Sequence, residues 1–129
     1  MTAHTTDSLL LVTHSLDYDH PRNRFICSWV EEFARVSGKV HVIVQYKGDL
    51  GGLPENVEVH SLGKNDNKGR FSQILRFFHL VISLHDDYER VFVHNYANWV
   101  TLGYPFFRSF KKPVYFWHCN KEKKFKNYI

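Results

Sequence analysis

An open, mostly parallel α/β sheet with helices on both faces is the fold class this sequence predicts, and three observations predict it. Five short apolar runs recur along the chain, helix-like segments separate most of them, and the runs are nearly continuous in apolar character instead of alternating. Strands buried on both faces read this way, because helices cover each side of a parallel sheet.

The runs are LLLVT (9–13), VHVIV (40–44), VEVHSL (57–62), RVFVHN (90–95) and PVYFWH (113–118), each β-rich and bounded by Gly, Pro, Asn or Asp. After the first, Phe25, Trp29 and Phe33 recur at helical spacing beside Ile26 and Val30, which makes one apolar helical face, and Gly38 is placed to end it. The second and third runs are joined by YKGDLGGLPEN (46–56), which has turn chemistry and no long helix. Phe71, Ile74, Leu75, Phe78, Val81 and Ile82, opposite Gln73, Arg76 and His79, predict a second helix. A third, from about Asn98 to Phe110, carries Trp99, Leu102 and Phe106, and Gly103 and Pro105 are expected to bend or break it. The order β-α-β-β-α-β-α-β describes a Rossmann-like half-domain with expected strand order 3-2-1-4-5.

Bulk properties narrow the classes. A chain of 129 residues, 43% apolar and 23% charged, suits one globular domain, 1–129, able to bury a single core. Eleven Phe, seven Tyr and three Trp bring aromatic area that must be buried in the fold or against a partner. The formal charge of +4 and pI of about 9.1 favour phosphates or an anionic membrane, yet fall short of the dense basic stripe of a nucleic-acid binder, so no nucleic acid is expected. Cys27 and Cys119 lie far apart without C-x-x-C spacing, which argues against a zinc ribbon or disulfide scaffold and fits a reducing, cytoplasmic compartment. MTAHTTDS lacks a basic n-region, and no apolar run approaches the ~20 residues of a membrane span, so a soluble chain is expected.

In open α/β sheets, ligands sit outside the carboxyl ends of the strands, near the point where strand order reverses. Three post-strand segments begin alike there: Thr13-His14, His94-Asn95 and His118-Cys119-Asn120. In the expected order the first, fourth and fifth strands are neighbours about 4.8 Å apart, so three imidazoles would crown one edge. One such His is ordinarily half-buried and bonded to a nearby carbonyl; three together argue for a polar site. Zinc would need their nitrogens about 2 Å from one ion, which adjacent strand ends do not impose. No metal and no cofactor is therefore expected, and hydrogen bonding to a hydroxylated or phosphorylated ligand is.

The loop after the first strand adds Asp17, Asp19, His20, Arg22 and Arg24, carboxylates and cations suited to a hydroxylated or phosphorylated ligand. A plain solvated loop with Pro21 opening the helix is the competing explanation. Trp99, Tyr104 and Phe107 either meet a ligand or fill the core under the third helix. No G-x-S-x-G elbow, P-loop or G-x-G-x-x-G is present, and neither cysteine has an activating arrangement, which excludes the usual hydrolase, NTPase and dehydrogenase signatures.

Taken in order, LLLVTHSLDYDHPRNRFICSWVEEFARVSGKVHVIV, LPENVEVHSLGK, YERVFVHNYANWVTLG and KKPVYFWHCNK resemble the N-terminal domain of the family 4 glycosyltransferases of the two-domain GT-B type, from about Leu9 to Lys121. The more specific pieces are W-x-E-E-F-A at Trp29 to Ala34, N-V-x-V-x-S-L-G-K at Asn56 to Lys64, V-F-V-H-N at Val91 to Asn95, and W-H at Trp117-His118. The resemblance implies an acceptor-side half of the interdomain cleft, lined by His14, Asp17, Asp19, His20, Arg22, Arg24, His94, Asn95, His118 and Asn120. It also implies a C-terminal domain that binds the nucleotide-sugar donor through a pair of Glu with seven residues between them. The six Glu here, at 31, 32, 55, 58, 89 and 122, contain no such pair, so the donor domain is expected to be absent and the chain inactive alone. Family members often place small residues after the first strand; this loop has no Gly.

The implied partners are a nucleotide-sugar donor held by that missing domain and a carbohydrate or lipid-linked acceptor. Lys111, Lys112 and KEKKFK (121–126) suit peripheral contact with anionic lipid at the inner face of the membrane. The alternative function is a non-catalytic α/β ligand-binding module, with an incidental His-based metal site.

Overall fold

The computed structural model describes residues 7–19, 24–63, 69–95 and 97–117. Its elements run β1 (Ser8–Leu16), α1 (Arg24–Val36), β2 (Lys39–Lys47), β3 (Val57–Ser61), α2 (Arg70–Ser83), β4 (Arg90–His94), α3 (Ala97–Ser109) and β5 (Val114–Trp117). All five strands are parallel, in the order β3-β2-β1-β4-β5. This is the Rossmann-like α/β sheet that the apolar runs predict.

The pleat sorts side chains to two cores. Leu9, Leu11, Val40, Val42 and Val44 face α1, which buries Ile26, Cys27, Val30 and Ala34 against them. Leu10, Val12, Ile43, Val91 and Val93 face the other side, under Phe77, Leu80 and Val81 of α2 and Trp99 and Phe107 of α3. The helical stripes are narrower than their apolar content implies. Phe71 of α2 is 72% exposed and Leu75 51%, so only the inward arc of that helix is core.

The elements differ from the expectation at the end of the first two strands and in the third helix. β1 continues past Thr13 through His14 and Ser15 to Leu16, because β2 extends to Lys47 and its Tyr46 and Lys47 pair with Ser15 and Leu16. The segment HSL is thus strand, and the loop starts at Asp17. The third helix does not break: α3 runs unbroken through Gly103 and Pro105. Pro105 withholds one backbone donor from the ladder, while Trp99 and Phe107, both buried, anchor the helix on either side of it.

Gly103 has a packing reason. A Cβ there would lie 2.5 Å from the Phe107 ring and 3.2 Å from Phe77, so its absence lets α3 close on α2. Gly103→Ala should therefore destabilise the fold by up to about 2 kcal/mol. Overpacking by about 1–3 kcal/mol outweighs the roughly 1 kcal/mol that Ala gains over Gly in a helix. Urea denaturation of the variant reads this directly, and a raised midpoint would contradict the close packing.

β2 and β3 are parallel neighbours joined by residues 48–56 without a helix, an unusual crossover for parallel strands. Asn56 makes the short path work. Its side-chain amide donates to the carbonyls of Ala34 (2.9 Å) and Ser37 (3.2 Å), satisfying the end of α1, while its own carbonyl accepts from Val40. On the α1 face, the described residues leave Tyr115 and Trp117 of β5 exposed. Among the described residues no helix is long and apolar enough to cross a membrane.

Candidate functional site at the carboxyl edge of the sheet

Strand order reverses between β1 and β4: the chain leaves β1 for α1 on one face and β4 for α3 on the other. The crevice of an open α/β sheet opens at such a point. There Thr13 Oγ1 and His94 Nδ1 lie 3.1 Å apart, both residues buried. Phe25 and Trp29, from the first turns of α1, make T-shaped contacts with the His94 ring at centroid distances of 5.8 and 5.4 Å. His94 Nε2 is buried without a hydrogen-bond partner among the described residues. Burial lowers the His94 pKa from its usual 6.5 to about 4, so the ring is neutral at pH 7.

His14 follows Thr13 on β1 and is half-buried; the pleat turns it away from the α1 face that Thr13 and His94 share. Asn95 follows β4 with φ of 67°, a left-handed conformation that Asn tolerates, and its N–H donates to the Trp117 carbonyl at 2.7 Å. This bond keeps β5 aligned with β4 at the edge of the crevice.

Asp17 is a clamp between loops. Its Oδ1 accepts from the backbone N–H of Asp19 (2.9 Å) and of Asp49 (3.1 Å), and Gly48 passes so close that a Cβ there would lie 2.2 Å from Asp17 Cγ. Asp19 is exposed, and Arg24 is exposed at the start of α1, whose first turn carries no acidic residue. His20, Arg22, His118 and Asn120 lie outside the described residues, so the crown of three imidazoles is described only at His14 and His94. Lys112 is held internally, its ammonium donating to the Tyr88 carbonyl at 2.6 Å and lying 5.2 Å from that ring's centroid, and Lys111 is exposed. Trp99 and Phe107 belong to the core, and Tyr104 is exposed.

Other polar groupings were not evident in the sequence. Tyr18 donates its phenol O–H to Glu31 and packs over Gly52, and burial together with Glu31 raises its pKa. Nothing in the spacing of Tyr18 and Glu31 separates them from surface residues. On the α2 face, His41 of β2 stands beside Glu58 and His60 of β3. His41 Nδ1 lies 3.1 Å from Glu58 Oε1 and 3.2 Å from His60 Nε2. The signal for this group was a histidine within the apolar run VHVIV, where a parallel strand has no water to offer it. A groove of ≈ 370 Å³ lies at the opposite, amino edge of the sheet, lined by Asp7, Ser8, Phe33, Arg90 and Tyr115 among others. Arg90 there pairs with Asp7 at 2.7 Å.

Compared with protein-family models, curated proteins and solved structures, the chain matches none.

Proposed function

We propose that this chain is the acceptor-side domain of a glycosyltransferase that moves a sugar from a nucleotide-sugar donor to a hydroxyl. The observation that carries the reading is the Thr13–His94 pair at the strand-order reversal, in T-shaped contact with the rings of Phe25 and Trp29. A pyranose offers hydroxyls to a polar ring nitrogen and apolar C–H faces to aromatic rings, and Phe25 is 43% exposed there. The start of α1 at the same edge, free of acidic residues, suits a sugar phosphate or a lipid-linked phosphate acceptor. Donor binding and most positioning then come from a second domain across the cleft, and peripheral contact with anionic lipid is part of the same reading.

Residues 1–129 alone should bind without turning over, because positioning for group transfer comes from both sides of a cleft. With radiolabelled uridine- and guanosine-diphosphate sugars and simple acceptors, no transfer is expected. In ¹H–¹⁵N spectra, acceptor sugar phosphates should shift the amides of Thr13, Asp19, Phe25 and Asn95. Transfer by this chain alone, or shifts confined to the amino edge, would refute the acceptor-side reading.

One observation favours the alternative, a non-catalytic binding module. Asp17 and His94 Nδ1 are both engaged in internal bonds, as in a crevice built to be rigid and not to move protons. Acceptor shifts that persist unchanged when a donor domain is supplied, with no transfer, support that module.

A further inference from the structure

We propose that His41, Glu58 and His60 form a binding site for a zinc-class divalent cation, with His41 Nδ1, a Glu58 carboxylate oxygen and His60 Nε2 as ligands and a fourth position for water. The site stands apart from the carboxyl-edge crevice, on the α2 face of β2 and β3, and does not depend on the glycosyltransferase reading.

The donor atoms already have the spacing of a coordination shell. His41 Nδ1, Glu58 Oε1 and His60 Nε2 form a triangle with edges of 3.1, 3.2 and 3.7 Å. Tetrahedral bonds of about 2.0–2.1 Å set adjacent ligands about 3.3 Å apart. The register produces this arrangement: His41 pairs directly with Glu58, and His60, two residues on along β3, pairs with Ile43. All three side chains therefore leave the same face of two adjacent strands.

The second nitrogen of His41 is the independent observation. The His41 side chain is 1% exposed, and its Nε2 has no hydrogen-bond partner among the described residues, yet Asp87 Oδ2 lies 3.9 Å away. If Nδ1 carried the ring's proton toward Glu58 and His60, the bare Nε2 lone pair would face a carboxylate in a buried place. With a cation on Nδ1 the proton sits on Nε2 and points at Asp87. A carboxylate behind a metal-bound histidine is the usual way such a ring is oriented. Both rings are held below the usual histidine pKa, chiefly by burial, which favours the neutral form that binds metal.

Two nitrogens and one oxygen suit zinc or cobalt over magnesium or calcium, which take all-oxygen shells. Glu58 is half exposed, so a cation can enter from the β3 side. Bound there, it ties edge strand β3 to β2 at the point where no crossover helix supports the pair.

The test uses the full chain stripped of metal, titrated with Zn²⁺ by calorimetry and with Co²⁺ by visible absorption. One equivalent should bind, with d–d bands of a four-coordinate site and a raised melting temperature, and Mg²⁺ should not compete. His60→Ala and Glu58→Gln lie at the partly exposed side and should fold, as metal-free circular dichroism would check. Each should weaken Zn²⁺ binding by at least about tenfold, and Asp87→Asn by about 10–100-fold, the range for second-shell partners. Absence of binding at micromolar Zn²⁺, or one equivalent retained in both His60→Ala and Glu58→Gln, would overturn the site and assign any binding to other histidines of the chain.

Discussion

Phe77→Ala should lower stability by about 3–5 kcal/mol, the range for removing a fully buried aromatic ring. The ring is completely buried between α2, α3 and the sheet, with its centroid 4.7 Å from Trp99 and 6.2 Å from Phe78. Its edge also faces the notch that Gly103 leaves in α3. The core cannot collapse into the void easily, because Trp99 and Phe107 are held from other sides by β4 and Tyr88. A domain of this kind has about 5–15 kcal/mol in all, so the variant should unfold roughly 10–20 °C lower or be partly unfolded at room temperature. Guanidinium denaturation gives the number. A loss below about 1 kcal/mol would mean that α2 and α3 are not packed as described.

That core was partly legible in the sequence, and Phe77 shows where legibility stopped. The stripe Phe71, Ile74, Leu75, Phe78, Val81, Ile82 located α2 correctly, yet the fully buried ring is Phe77, and Phe71, Leu75 and Ile82 face water. Helical spacing fixes a period, and which edge of a wide apolar arc turns inward is decided by the sheet and α3. Strand order and parallel direction were readable because continuous apolar runs admit few arrangements. The reach of β1 to Leu16 was not, since Ser15 and Leu16 are kept in the strand by pairing with Tyr46 and Lys47 of β2, a partner distant in the sequence. For the crevice, neighbouring strand ends suggested His14, His94 and His118 as one group; the pleat instead turns His14 to the α2 face and sets Thr13 beside His94 on the α1 face, and His118 lies outside the described residues. The engagement of Asp17 with Asp49, and the meeting of His41 with Glu58 and His60, depend on contacts between loops or strands that no local pattern encodes. Pro105 misled because proline's local preference was overridden by packing on both sides of it.

The protein should lose about 3 kcal/mol of stability through His94 alone as pH falls from about 6.5 to about 4. In the folded state the ring is lowered to about 4, from 6.5 when exposed, so below 6.5 the unfolded chain takes a proton that the folded chain refuses. The contribution is fully present above 6.5, declines through this window, and levels off below 4. At 1.36 kcal/mol per unit, a shift of this size gives roughly 3 kcal/mol. His41 and His60 are shifted in the same direction, and carboxylates titrate nearby, so the comparison that isolates His94 is against a variant. His94→Gln keeps a polar partner for Thr13 and should flatten the fall in unfolding free energy between pH 6.5 and 4 by about that amount. Trp29→Ala tests the cause: with the indole gone from above the ring, water reaches Nε2, and the His94 pKa should climb back toward 6.5, read from the imidazole resonances in an NMR titration. A His94 pKa near 6.5 in the unmodified protein, or one unmoved by Trp29→Ala, would show that the aromatic cover does not keep this ring dry. The crevice would then hold a solvated histidine that changes charge near neutral pH, and a phosphate at the start of α1 would meet a cation there under mildly acidic conditions.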